Sequence, residues 1–144
     1  MLPKASAPVY SYVSVVIHRD IAYVSGHLPK VDGEPRYKGQ VGAEVNLEEA
    51  QDDARLCLLH CLSNLKEALG GSLDRIERAL KVTGYVASAR DFHGQAQVIE
   101  AASMLLLDLL GPRGEHARSA IGVSELPRDA AVEIELTLAV RNRP

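Results

Sequence analysis

Between residues 131 and 141 the chain alternates strictly. Val132, Ile134, Leu136, Leu138 and Val140 face one way, and Glu133, Glu135, Thr137 and Arg141 face the other. A period of two describes a β-strand with one buried face and one polar face. Such a strand belongs to a sheet covered on a single side. Residues 118–123 form a second short strand just upstream, and a Pro-containing turn joins the two. The pair sets Arg118 one strand and one turn away from Glu133 and Glu135. A planar, permanently charged donor fork near a carboxylate can hold a small anion and offer it a base.

The cover for the apolar face is legible upstream. Asn46-Leu-Glu-Glu49 has the capping pattern of a helix start. Leu47, Ala50, Ala54, Cys57, Leu58, Cys61, Leu62, Leu65 and Leu69 then recur at steps of three and four, and Gly70-Gly71 supplies the stop. A second helix is expected from Ser88-Ala-Arg-Asp91, with Phe92, Ala96, Ile99, Ala102, Leu106 and Leu109 as its stripe and Gly111-Pro-Arg-Gly114 as its end. Before the first helix, residues 12–17 and 21–25 read as a hairpin turning at His18-Arg-Asp20, and residues 30–45 as a long surface loop. A further strand spans residues 76–86, where Arg78 breaks the alternation. The order ββ-α-β-α-ββ over residues 1–144 is a single α+β domain, with both helices on one sheet face. The other face retains Val13, Val15, Tyr23 and Tyr85, an apolar set of the kind that meets another copy of the chain.

Composition narrows the chemistry. The net charge is −3 and the basic residues are scattered, which disfavours nucleic acid as the main partner. No run of about 18 apolar residues suggests a membrane span, and Met1-Leu-Pro-Lys4 lacks a signal-peptide core, so the cytoplasm is the expected location. Cys57 and Cys61 fall in the apolar stripe of the first helix and read as core packing. The histidines at 18, 27, 60, 93 and 116 have no metal-ligand spacing, so no metal is expected. Gly111-Pro-Arg-Gly114 follows a helix rather than opening one, unlike a phosphate loop, and Val24-Ser-Gly-His27 lacks the leading glycine of a nucleophile elbow. Any hydrolysis must therefore act on an already reactive substrate. Taken alone, Arg118 reads as a surface ion pair to Glu115 or Glu135, and Glu133, Tyr12 and Ser25 as ordinary strand residues.

Three segments together resemble a known family. Tyr23-Val-Ser-Gly-His-Leu-Pro29, Arg118-Ser-Ala-Ile-Gly-Val-Ser-Glu-Leu-Pro127 and Val132-Glu-Ile-Glu135, at these spacings, are similar to the Rid proteins. These are the reactive-intermediate deaminases, also called YjgF or L-PSP endoribonuclease-like, and the similarity covers about residues 10–141. The resemblance implies a chorismate-mutase-like fold in a homotrimer, with clefts between subunits. It implies cofactor-independent hydrolysis of enamine or imine intermediates, such as 2-aminoacrylate, to 2-keto acids and ammonia. It assigns Arg118 to the substrate carboxylate and Glu133 to the water. Tyr12, Ser25 and Gly26 line the cleft, as does position 120.

The chain departs from the family at two positions. Ala120 stands where a cysteine is frequent, and Ala96 where an asparagine is. Those losses keep a second reading open, a trimer that binds small carboxylates without turnover. An endoribonuclease, the older label for relatives, fits the acidic balance least.

Overall fold

The computed structural model describes residues 1–141 and bears out the α+β expectation. Its strands are β1 (Val15–His18), β2 (Ile21–His27), β3 (Lys30–Val31), β4 (Glu34–Pro35), β5 (Ile76–Ala87), β6 (Ala117–Val123) and β7 (Val132–Val140). Helix α1 spans Leu47–Ala68 and α2 spans Gln95–Leu110. The main sheet runs β1-β2-β7-β5-β6, with only β5 and β6 parallel. That parallel pair requires a crossover, and α2 provides it. Strand β7, last in sequence, is central and antiparallel to both neighbours.

Alternation along β7 is complete: Val132, Ile134, Leu136, Leu138 and Val140 are buried under the helices, and Glu133, Glu135 and Thr137 turn to the open face. Helix α1 packs on β7 and β2, α2 packs on β5 and β6, and the helices touch each other. The core between them contains Leu58, Leu62, Leu65, Ile76, Val82, Ile99, Leu106, Ile134 and Leu138. Both cysteines lie in it: Cys57 and Cys61 are fully buried and free, as packing residues.

Helix α1 starts where the capping pattern places it. The Asn46 side chain accepts from the Glu49 N–H at 2.8 Å, and Glu49 Oε1 accepts from the Asn46 N–H at 3.0 Å. Helix α2 starts later than the sequence suggests, at Gln95. Ser88 caps nothing: its hydroxyl donates to the Val86 carbonyl and accepts from Gln95 Nε2, and Asp91 takes a positive φ of 65°. The stripe shifts accordingly, to Val98, Ile99, Ala102 and Leu106, while Ala96 and Leu109 are exposed.

The loop at 30–45 is more ordered than expected. It contains the β3–β4 hairpin and is tied to the sheet ends by bridges from Lys38 to Ala130 and from Val41 to Ser88. Strand β1 begins at Val15 rather than Tyr12. Its pairing with buried Val24 puts Val15 on the helix side, so Val15 leaves the open apolar set. Val16, paired with Tyr23, and Ile121 join that set instead. Arg78, the residue that breaks the pattern of β5, sits at a register shift between Ile76 and Arg78.

Candidate functional site

Arg118 faces the helices. It pairs across the ladder with Val82, a core residue, so both side chains leave the same face of the sheet. Because β6 is an edge strand, the guanidinium stays partly accessible, with 25% of the side chain exposed. It turns into a shallow cleft of about 270 Å³ between α2 and the entry to β6, lined by Glu100, Ser103, Leu107, Glu115, His116 and Arg118. Arg118 Nη1 donates to Glu100 Oε2 at 2.5 Å and to Ser103 Oγ at 3.1 Å. Its ion-pair partner is therefore Glu100, not the Glu115 or Glu135 that sequence proximity suggests. Ser103 Oγ in turn lies 2.8 Å from His116 Nε2, and His116 Nδ1 lies 2.6 Å from the Gly114 carbonyl.

Glu133 occupies the opposite face. It pairs with Tyr85 across β5, and β5 separates β7 from β6. Burial, and then the charge of neighbouring Glu135, raise its carboxyl above the ordinary range. Tyr85 donates to Glu135 Oε1 at 2.5 Å; that bond, followed by burial and the nearby carboxylates, pushes the phenol up to about 12. Gly26 lies against Glu133: a Cβ there would stand 2.4 Å from Glu133 Oε2, so a side chain at this position would displace that carboxylate. Gly26 and Ser25 fall in the irregularity of β2 between Val24 and His27. Ser25 Oγ donates to the Val13 carbonyl at 2.7 Å and so pins the segment that carries Tyr12, itself half exposed. Ala120 is half-buried against the core on the Arg118 face.

Within one chain, then, the residues singled out from sequence do not form one site. Arg118 and Ala120 share the helix face, Glu133 and Gly26 meet on the far side with Ser25 beside Gly26, and Tyr12 stands apart, in a groove with Asn64, Glu67 and Ala68 of α1. Sequence reasoning missed Glu100, Ser103 and His116. The available signal was faint: Glu100 and Ser103 are polar residues three apart in a mostly apolar helix, and His116 precedes Arg118 by two, the spacing that puts both on one side of a strand. It also missed a second meeting of distant residues. His27 Nδ1 lies 3.9 Å from Cys61 Sγ and close to His60, and burial lowers the His27 pKa. Among the described residues no three His, Cys, Asp or Glu side chains converge as metal ligands would.

The chain is 42% identical over 142 residues to Protein TCP17 of Trypanosoma cruzi, covering 98% of this chain and 88% of that one. The crystal structure of Atu1372 from Agrobacterium tumefaciens, a protein of unknown function, superposes with a TM-score of 0.91. It is 40% identical, with 97% of this chain and 86% of that one covered. TdcF of E. coli, solved with bound serine, is 26% identical with a TM-score of 0.66, over 96% of this chain and 94% of that one. The family model for endoribonuclease L-PSP matches residues 3–140. By its whole-length match and its mixed five-stranded sheet under two helices, the chain belongs to the endoribonuclease L-PSP family, the family of the YjgF and Rid proteins.

Proposed function

We propose that the protein hydrolyses reactive enamines and imines of small 2-amino acids to 2-keto acids and ammonia. The observation that carries the proposal is Arg118: a partly exposed guanidinium in a cleft on an edge strand, with Glu100 and Ser103 holding Nη1 and no other side-chain partner on the fork among the described residues, which leaves its other nitrogens to take a carboxylate. TdcF, a relative with bound serine, supports a ligand of that size and charge. The proposed sites lie between copies of the chain in a homotrimer. Arg118 and Glu133 leave opposite faces of one sheet, so a site using both takes them from two copies.

The chemistry asks little of the protein. An enamine such as 2-aminoacrylate is protonated at its methylene carbon to give the iminium. Water adds to the iminium carbon, C2, as Glu133 accepts a proton, the C–N bond of the resulting carbinolamine breaks, and nitrogen leaves protonated. The balance is R–C(=NH2+)–COO− plus water to R–CO–COO− plus ammonium. Arg118 fixes the carboxylate, and holding the reactants in place lowers the barrier by several kcal/mol. A carboxyl raised by burial suits Glu133 to exchange protons nearer neutrality than an exposed glutamate does.

The test is keto-acid release from imines generated in situ by an amino-acid oxidase. Arg118→Ala is expected to lower the rate at least 100-fold, and Glu133→Gln 100- to 10,000-fold, about the value of a placed general base. Rates equal to buffer, or untouched by Arg118→Ala, overturn the proposal. A second reading, carboxylate binding without turnover, has its own observation: Glu100 already neutralises Arg118, and the positions where polar lining is common are Ala96 and Ala120. It predicts a rise in Tm with keto acids that depends on Arg118, and no turnover. The net charge of −3 weighs against an RNA substrate.

A further inference from the structure

We propose that Ser103 and His116 make the Arg118 cleft a proton-linked carboxylate site, in which a small 2-keto or 2-imino acid on Arg118 is held together with a proton on His116. The inference rests on Arg118 as the carboxylate holder and adds two positioning residues to it.

While His116 is neutral the hydrogen-bond chain has only one possible direction. The Gly114 carbonyl can only accept, so His116 Nδ1, at 2.6 Å, carries hydrogen. In the neutral imidazole Nε2 is then a bare acceptor, and the Ser103 hydroxyl at 2.8 Å donates to it. The Ser103 oxygen meanwhile accepts from Arg118 Nη1 at 3.1 Å. The one proton of Ser103 thus points away from the cleft while His116 is neutral. Protonating His116 makes Nε2 a donor to Ser103 Oγ, and the hydroxyl proton must turn elsewhere. A carboxylate seated on Arg118 is an acceptor for it.

Charge works in the same direction. The charged groups lining the cleft with His116 are Glu100 from α2 and Glu115 and Arg118 from the β6 segment, while Arg78 from β5 donates to the Glu115 carbonyl at 3.1 Å. Two carboxylates thus oppose the lining arginine, and an entering anion meets less net attraction than a lone arginine offers. An imidazolium one hydrogen bond removed from Arg118 restores it. An opposite charge within reach shifts a titration by about one unit or more. By linkage, the ligand binds about tenfold tighter once His116 is charged.

Pyruvate binding to the full chain is measured by calorimetry from about pH 5.5 to about pH 8.5, the range in which imidazoles titrate, in buffers of differing ionisation enthalpy. Wild type is expected to bind about tenfold tighter at the acid end, with proton uptake that peaks at about half a proton per site between the two ends of the range. His116→Gln keeps an acceptor for Ser103 but cannot charge, and is expected to bind with a flat pH dependence. A purely structural role would weaken binding at every pH and leave its slope intact. Glu133 also titrates upward of its ordinary range, but equally in wild type and in His116→Gln, so the difference between them reports His116. NMR of the His116 ring protons in wild type gives a second readout: pyruvate should move its titration to higher pH. Binding that needs Arg118 but not the proton overturns this inference and leaves the proposed function standing. Proton-linked binding without keto-acid release does the reverse. No pyruvate binding at any pH overturns both.

Discussion

Asp53 shows how one residue can set the pH behaviour of this fold. It is fully buried on α1, with Oδ1 3.3 Å from Arg36 Nε and Oδ2 unpartnered. Burial outweighs the attraction of Arg36 and lifts its pKa from 3.8 to about 7. A carboxyl raised on folding means the native state binds the proton more tightly than the unfolded chain does. Its contribution is therefore full below about pH 4 and is lost as pH rises through about 7. Asp53→Asn is expected to remove that slope, leaving the variant more stable than wild type above pH 7 by about 2–4 kcal/mol, roughly 5–15 °C in Tm. Thermal melts of both proteins across this range check it. In the sequence Asp53 is one of two adjacent aspartates in an amphipathic helix, and nothing local distinguishes it from half-exposed Asp52 as the one to be buried. The β3–β4 hairpin and its Arg36 come from what reads as a surface loop, and only their packing removes Asp53 from water.

At the scale of elements, α2 lies close to β5 because Gly84 has no side chain. A Cβ at Gly84 would stand 2.3 Å from Ile99 Cδ1 and 2.5 Å from Ile99 Cγ1. Gly84→Ala is expected to force Ile99 off its rotamer and lift α2, costing about 1–3 kcal/mol, visible as a lower urea midpoint at unchanged slope. The same displacement would move Glu100 and Ser103 relative to Arg118. Helix α1 was legible to within a residue because its Asn46 capping box and its Gly70-Gly71 stop are local hydrogen-bonding and backbone rules. The start of α2 was not: Ser88 and Asp91 resemble a cap, but the Ser88 hydroxyl is engaged with the end of β5 and with Gln95.

For the whole molecule the open sheet face is the outstanding surface. Val16, Tyr23 and Ile121 are each about half exposed there, around the half-buried pair of Glu133 and Glu135. We propose that copies of the chain cover this face. Sedimentation equilibrium is expected to give three times the 15.6 kDa chain mass, and Tyr23→Glu, on that face beside Val16, is expected to shift it towards monomer. A wild-type monomer at micromolar concentration would overturn the assembly, and with it any site shared between Arg118 and Glu133.

By itself the sequence determined what depends on period and local chemistry: a one-faced terminal strand, a capped amphipathic helix, cysteines as core residues, and the spacing of Arg118 and Glu133 within motifs of the family. Those properties are carried by residues close together along the chain. Only the tertiary structure decided which side each group leaves and what it meets there. The parallel β5–β6 ladder turns Arg118 towards α2, and the central place of β7 sends Glu133 to the opposite face. Glu100, Ser103 and His116 join Arg118 through a crossover that spans residues 95–117, and no pattern of period two or 3.6 encodes that meeting. Register and packing, which are long-range, make the cleft; the local sequence only supplies its parts.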